Sequence, residues 1–149
     1  MNKKLFILIT ALGILRTEAL PGTGAFAASP TPIIIVHPDN PSTEVDPRFL
    51  SRVFLKKKTE WPDGQIIKPV DLKPSTPVRQ AFSNDLLGRT VPEVKVYWQQ
   101  NIFSGHKVPP PELDAEEEVV AYVLRNPGAI GYVSSGTRIG DSKILSLKK

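Results

Sequence analysis

Ile66 to Leu87 reads IIKPVDLKPSTPVRQAFSNDLL, and the fold turns on how that stretch is read. Ile66, Ile67 and Val70 form a short apolar run interrupted by Pro69, which predicts a strand near a sheet edge because proline removes a ladder donor. Ser75 or Thr76 is placed to cap a helix that begins at Pro77, a residue pre-set for the first helical turn. Val78, Ala81, Phe82 and Leu86 then recur at helical spacing, and Gly88 supplies the stop. The stretch is therefore a strand, a tight polar turn and an amphipathic helix. Free backbone N–H groups and the helix dipole favour an anion at the front of that helix, where Ser75, Thr76 and Arg79 add side-chain donors. The same residues also fit a capped surface helix whose Arg79 is merely solvated.

Upstream, Ile33-Ile34-Ile35-Val36 is the strongest strand signal in the chain. Four consecutive β-branched residues predict burial on both faces, as in a strand covered by helices. His37 to Pro41 ends it in a loop. Asp46 caps a helix with Pro47 at its first position, and Phe49, Leu50, Val53 and Phe54 form its apolar stripe. Trp61-Pro62-Asp63-Gly64 is a turn. Downstream, Thr90 and Glu93 have capping-box spacing ahead of a helix carrying Val94, Tyr97, Trp98 and Ile102. A loop with Pro109-Pro110-Pro111 follows. Asp114 is then expected to cap a helix with Glu116, Glu117 and Glu118 in its first turns, where the dipole favours acid. Ala129 to Val133 is a compact strand whose Gly131 admits a close neighbour, and Lys143 to Leu147 is a last short strand. This order predicts an α/β domain of three layers, a mostly parallel sheet flanked by helices. Residues 37–45, 71–79 and 134–138 would share the rim beyond the strand ends, where ligands gather in such sheets.

The chain has 149 residues and no cysteine, so it tolerates an oxidising compartment without drawing stability from it. Residues 1–27 read as a secretory leader: Lys3 and Lys4, an apolar Leu5–Leu15, then Ala25-Phe26-Ala27 at a cleavage site. Residues 28–149 form a single domain, expected to be periplasmic or secreted; retention of the leader as an anchor stays open, although the apolar run is short for a bilayer. Losing Lys3, Lys4, Arg16 and Glu18 takes the formal charge of +4 to +2, too little to imply nucleic-acid binding. Lys56-Lys57-Lys58 reads as a solvated loop. His37 and His106 lack metal-ligand spacing, and no G-x-S-x-G, Walker A or G-x-G-x-x-G is present. Ser75 has no base near it in sequence. No catalytic residue, metal or cofactor is expected.

Several stretches together resemble one family. They are Ile34-Ile35-Val36 with His37-Pro38, Val53-Phe54-Leu55 ahead of Trp61-Pro62-Asp63-Gly64, and Pro69-Val70-Asp71 with Ser75-x-x-x-Arg79. Phe82, Leu87-Gly88, Tyr97-Trp98, Phe103-x-Gly105 and Pro127-Gly-Ala-Ile-Gly-Tyr-Val133 complete the set. Their order and spacing are similar to the phosphate-binding (PstS-like) periplasmic substrate-binding proteins of ABC transporters, type II fold, across about residues 32–147. The resemblance implies one lobe of that fold, as in stand-alone single-lobe relatives. It implies a non-catalytic domain binding inorganic phosphate or a similar oxyanion near Ser75, Thr76 and Arg79, in connection with phosphate transport. A transporter permease, another envelope protein or a second copy of the chain would be its partners. Two departures matter: the turn reads Ser75-Thr76-Pro77 where the family has S-G-T, and a single lobe lacks opposing donors. An envelope interaction module that keeps the fold without tight ligand binding is the alternative.

Overall fold

The structure, a computed structural model, describes residues 28–148. The expected leader, residues 1–27, lies outside the described residues. No helix among the described residues is long and apolar enough to cross a membrane.

A five-stranded sheet carries the fold, in the order β2 (Glu44–Val45), β7 (Lys143–Leu147), β1 (Pro32–Val36), β6 (Ala129–Ser134), β3 (Lys68–Pro69). β2 is parallel to β7 and β3 is parallel to β6, whereas β1 is antiparallel to both β6 and β7. Four strands thus share one direction and the central one opposes them. The sheet is mostly parallel in strand direction, as the element order implies, yet its longest ladders are antiparallel. This reversal corrects one expectation. Pro32 pairs with Ser134 and Val36 with Ile130, so residues after Val36 leave from the opposite end to residues 134–138. The loop 37–43 therefore does not share a rim with residues 71–79 and 134–138.

Ile34, Ile35 and Val36 are buried to within 1 % of full, as a central strand with both faces covered requires. β3 lies at the edge, where Pro69 costs no ladder bond to a further strand. It is shorter than the apolar run: Ile66 is 55 % exposed and bridges only Glu60. A second, two-stranded ribbon pairs β4 (Asp71–Leu72) with β5 (Glu112–Leu113).

Helices cover both faces. α1 (Pro47–Phe54) starts as expected, with Asp46 Oδ1 accepting from Arg48 N–H at 2.5 Å. α2 (Pro77–Phe82) continues without a break into a π-turn, Ser83–Leu87, that Gly88 ends at φ 62°. α3 (Val91–Phe103) has its capping box: Glu93 Oε2 accepts from Thr90 N–H at 2.6 Å and Glu93 N–H donates to Thr90 Oγ1 at 3.4 Å. α4 (Glu116–Arg125) departs from expectation, because its cap position is Ala115 and not Asp114. Alanine has no acceptor, so only half a box forms: Glu118 Oε2 reaches back to Asp114 N–H at 2.9 Å and Ala115 N–H at 3.2 Å. Asp114 instead gives its carboxylate to Lys73.

Consecutive residues of β6 point to opposite faces and show what each layer is made of. Tyr132 meets α1 and α2: its ring stacks on Phe82 at 3.7 Å between centroids, and Phe54 stands edge-on to both. Gly131 meets α4. A Cβ there would stand 2.6 Å from Val119 Cγ1 and 3.0 Å from Val70 Cγ1. The close neighbour of Gly131 is thus packed valine. Trp61 pins the preceding turn to this region, donating its indole N–H to Gly128 O at 3.0 Å.

Gly131→Val should therefore lose about 1–3 kcal/mol through overpacking. Gly136→Ala is the control, since nothing lies within 4 Å of the added Cβ. Chemical denaturation measures both; an unmoved midpoint for Gly131→Val would contradict the packing of α4 on β6.

Candidate functional site

The turn between β4 and α2 is closed by its own donors. Thr76 N–H and Thr76 Oγ1 both donate to Lys73 O, at 3.0 and 2.9 Å. Thr76 occupies the cap position, but its hydroxyl makes no bond to the helix. Ser75 is exposed at the tip and Thr76 is half-buried, so both face solvent at the helix start.

Arg79 goes elsewhere. It shares the inward helix face with Phe82 and Ser83 and is 2 % exposed, which removes the reading of a solvated arginine. Its Nε stands 3.0 Å from Asp71 Oδ1. The same carboxylate accepts from the Tyr132 hydroxyl and, at 2.9 Å, from Leu72 N–H. Burial pushes the Asp71 carboxyl above its usual range, while the Arg79 charge, the Tyr132 hydroxyl and the Leu72 N–H each pull it back down. Burial and the neighbouring Asp71 push the Tyr132 phenol upward, so it keeps its proton and remains a donor. Arg79 Nη1 is buried without a hydrogen-bond partner among the described residues.

Arg79 also floors a groove of about 490 Å³ between α3 and the 109–112 segment. Pro74, Val94, Trp98, Ile102 and Glu112 are among its walls, so the groove runs from the turn along α3 as far as Ile102. Burial raises the Glu112 carboxyl, and nearby Asp71 raises it further. Ser75, Thr76 and Arg79 thus lie on one short segment but face two ways: two hydroxyls outward and one guanidinium inward.

Asp71 and Tyr132 went unassigned in the sequence reading. The signal was present in Val70-Asp71-Leu72: a carboxylate inside an apolar run must find a cation once buried, and Arg79 follows eight residues later, in the first turn of α2. A second polar cluster also rests on long-range contacts. Glu116 accepts from Ser134 N–H at 2.6 Å, from Ser134 Oγ at 2.7 Å and from Thr137 Oγ1. It occupies the N–H at the end of β6 that an anion on this rim would otherwise use. No group of His, Cys, Asp and Glu among the described residues is arranged to hold a metal.

Removing one partner of a buried pair leaves the other charge uncompensated. Arg79→Ala should therefore cost about 3–5 kcal/mol of folding stability, and Arg89→Ala, at an exposed position past Gly88, no more than about 0.5 kcal/mol. Equal midpoints in denaturant would contradict the buried pair. Glu116 predicts a pH dependence. Burial raises its carboxyl, but Thr137 and Ser134 outweigh that and hold it below its usual range. A depressed carboxyl contributes stability above its unfolded pKa and loses it as pH falls through the folded value. Glu116→Gln should therefore cost about 1–2 kcal/mol near neutrality, and the gap to wild type should close as acid protonates the native glutamate.

No family model matches the chain, and no curated protein does. Solved structures do match. An ABC-type phosphate transport receptor from Vibrio cholerae is similar over 79 % of this chain and 46 % of its own, at 20 % identity and a TM-score of 0.62. A putative phosphate ABC transporter substrate-binding protein with bound phosphate, from Clostridium perfringens, covers 78 % of this chain and 44 % of its own at 19 % identity, TM-score 0.62. PstS from Borrelia burgdorferi covers 80 % and 48 % at 16 % identity, also with a TM-score of 0.62. The chain spans about half the length of these receptors, and over that part it has their α/β substrate-binding-protein fold.

Proposed function

We propose that the chain is a non-catalytic, exported binding domain that takes phosphate or a similar small oxyanion at the 73–79 turn, in connection with phosphate transport. The observation that carries this reading is the buried Arg79, whose Nη1 lacks a partner directly behind the turn. An oxyanion seated against Ser75 and Thr76 would meet the Ser75 hydroxyl from the front, and the Thr76 hydroxyl once that leaves Lys73 O. A guanidinium reached from the groove side would supply the charge-assisted bond. The likeness to phosphate receptors supports the choice of ligand, and their designation as transport proteins supports a permease or another envelope protein as partner. A second copy of the chain would supply the opposing wall that one half of such a receptor lacks.

One observation favours the alternative, an envelope interaction module without tight ligand binding. Asp71 already answers the Arg79 charge at 3.0 Å, so an incoming anion competes with a resident carboxylate. Phosphate titration by calorimetry at two salt concentrations separates the two readings. Saturable binding that weakens by about 0.5–1.5 kcal/mol in Ser75→Ala and in Thr76→Val, and is unchanged in Arg89→Ala, supports the oxyanion site. Absence of saturable binding at millimolar phosphate, or equal loss in all three variants, leaves the interaction module.

A further inference from the structure

The C-terminal end of α3 carries exposed apolar side chains on a well-tied frame. Phe103 is 92 % exposed, Ile102 55 % and Val108 68 %. The backbone beneath them is closed: Ser104 N–H donates to Gln100 O at 3.1 Å, Gly105 N–H to Ile102 O at 3.0 Å and His106 N–H to Asn101 O at 3.1 Å. Ser104 Oγ adds a bond to Gln100 O at 2.8 Å. Phe103 is thus held out by a finished helix end. Single exposed apolar residues are ordinary, but three grouped at one helix end form a patch.

The surroundings of this tip are cationic. Lys56, His106 and Lys107 line the same depression as Ile102 and Val108. One turn back, Lys57 Nζ stands 5.6 Å from the ring centroid of Tyr97, whose hydroxyl ties α3 to Leu55 O at 2.8 Å. Residues 56–60 and 101–108 hold four lysines, Lys56, Lys57, Lys58 and Lys107, against one acid, Glu60. None of the four lysines makes an ion pair with a described residue; the salt bridges there are His37–Asp39, Lys73–Asp114, Arg79–Asp71 and Lys148–Glu44.

We propose that this tip docks on an anionic lipid surface, with Phe103 and Ile102 entering the interface and Lys56, Lys57 and Lys107 at the headgroups. Its occupant must be negatively charged and must cover the exposed Phe103 and Ile102 side chains. A bilayer meets both needs, because an aromatic ring lodges at the headgroup boundary while long cationic side chains bury their stems and keep their charge in water.

The chain has no cysteine, so one label can be placed at will. Ser104→Cys carries an environment-sensitive fluorophore at the tip, and Ser135→Cys carries it at the far rim; both positions are exposed. The full chain is titrated with phosphatidylcholine vesicles and with vesicles containing about one-third phosphatidylglycerol, a bilayer anionic enough to attract basic segments. The expected result is a blue shift at position 104 only, on the anionic vesicles only, weakened at higher salt. Phe103→Ser with Ile102→Ser should reduce the apparent affinity at least tenfold. Exchange of Lys56, Lys57 and Lys107 for Gln should abolish the preference for anionic lipid. A silent label at 104, equal shifts at both positions or indifference to the Phe103 variant overturns the proposal. So does a shift at 104 that grows with protein concentration without lipid, which would assign the tip to a second copy.

Discussion

The contact on which the arrangement depends is the buried pair of Asp71 and Arg79, joined by the Tyr132 hydroxyl. It links three elements that are separate in the chain: the start of the short ribbon, the first turn of α2 and the middle of β6. A buried pair adds little net stability compared with well-packed apolar groups, because both ions lose their water. Its effect here is positional. Only one placement of α2 brings Arg79 over Asp71 while laying Phe82 flat on Tyr132, so the charge pair and the aromatic stack select the same helix position. That arrangement leaves the Arg79 Nη1 without a hydrogen-bond partner among the described residues.

This pairing also sets the electrostatic character of the turn. The guanidinium behind Ser75 and Thr76 is neutralised by Asp71, and the Lys73 ammonium is engaged by Asp114, whose charge raises its pKa further. An oxyanion arriving here meets directional donors in a region of almost balanced charge. If the proposed oxyanion site is used, selectivity there would rest on geometry more than on attraction. The missing glycine bears on the same point. Pro77 has no N–H to offer, and the Thr76 N–H and hydroxyl are given to Lys73 O, which leaves the Ser75 hydroxyl as the side-chain donor at the front.

Local features were legible in the sequence because their causes are local. The Asp46-Pro47 start, the Thr90–Glu93 box and the Gly88 stop each need only a few consecutive residues, and each is present. Burial of Ile34 to Val36 followed from composition alone. What escaped depended on partners distant in the chain. The reversed direction of β1 is set by β6 and β7, and nothing within Pro32–Val36 encodes it. Asp114 had the right chemistry for a cap but found Lys73 first, which left Ala115 in the cap position. At the site, Ser75 and Thr76 lie where the turn chemistry puts them. Arg79 turns inward to Asp71, which spacing alone does not show, because it does not distinguish an arginine facing water from one answering a buried acid.

The reversed central strand has a consequence for how the molecule comes to exist. Among the described residues β1 is the first strand, yet both its neighbours come from the last part, and it pairs with no strand made in between. During synthesis it emerges with nothing to pair against. Its β-branched run stays an unsatisfied apolar segment until β6 and β7 have followed. Sheets closed by such distant pairings form late and slowly, because the loop between the partners must be ordered before any ladder bond repays it. Until β6 and β7 have emerged the polypeptide therefore has no finished core and depends on whatever shields β1 in the interval.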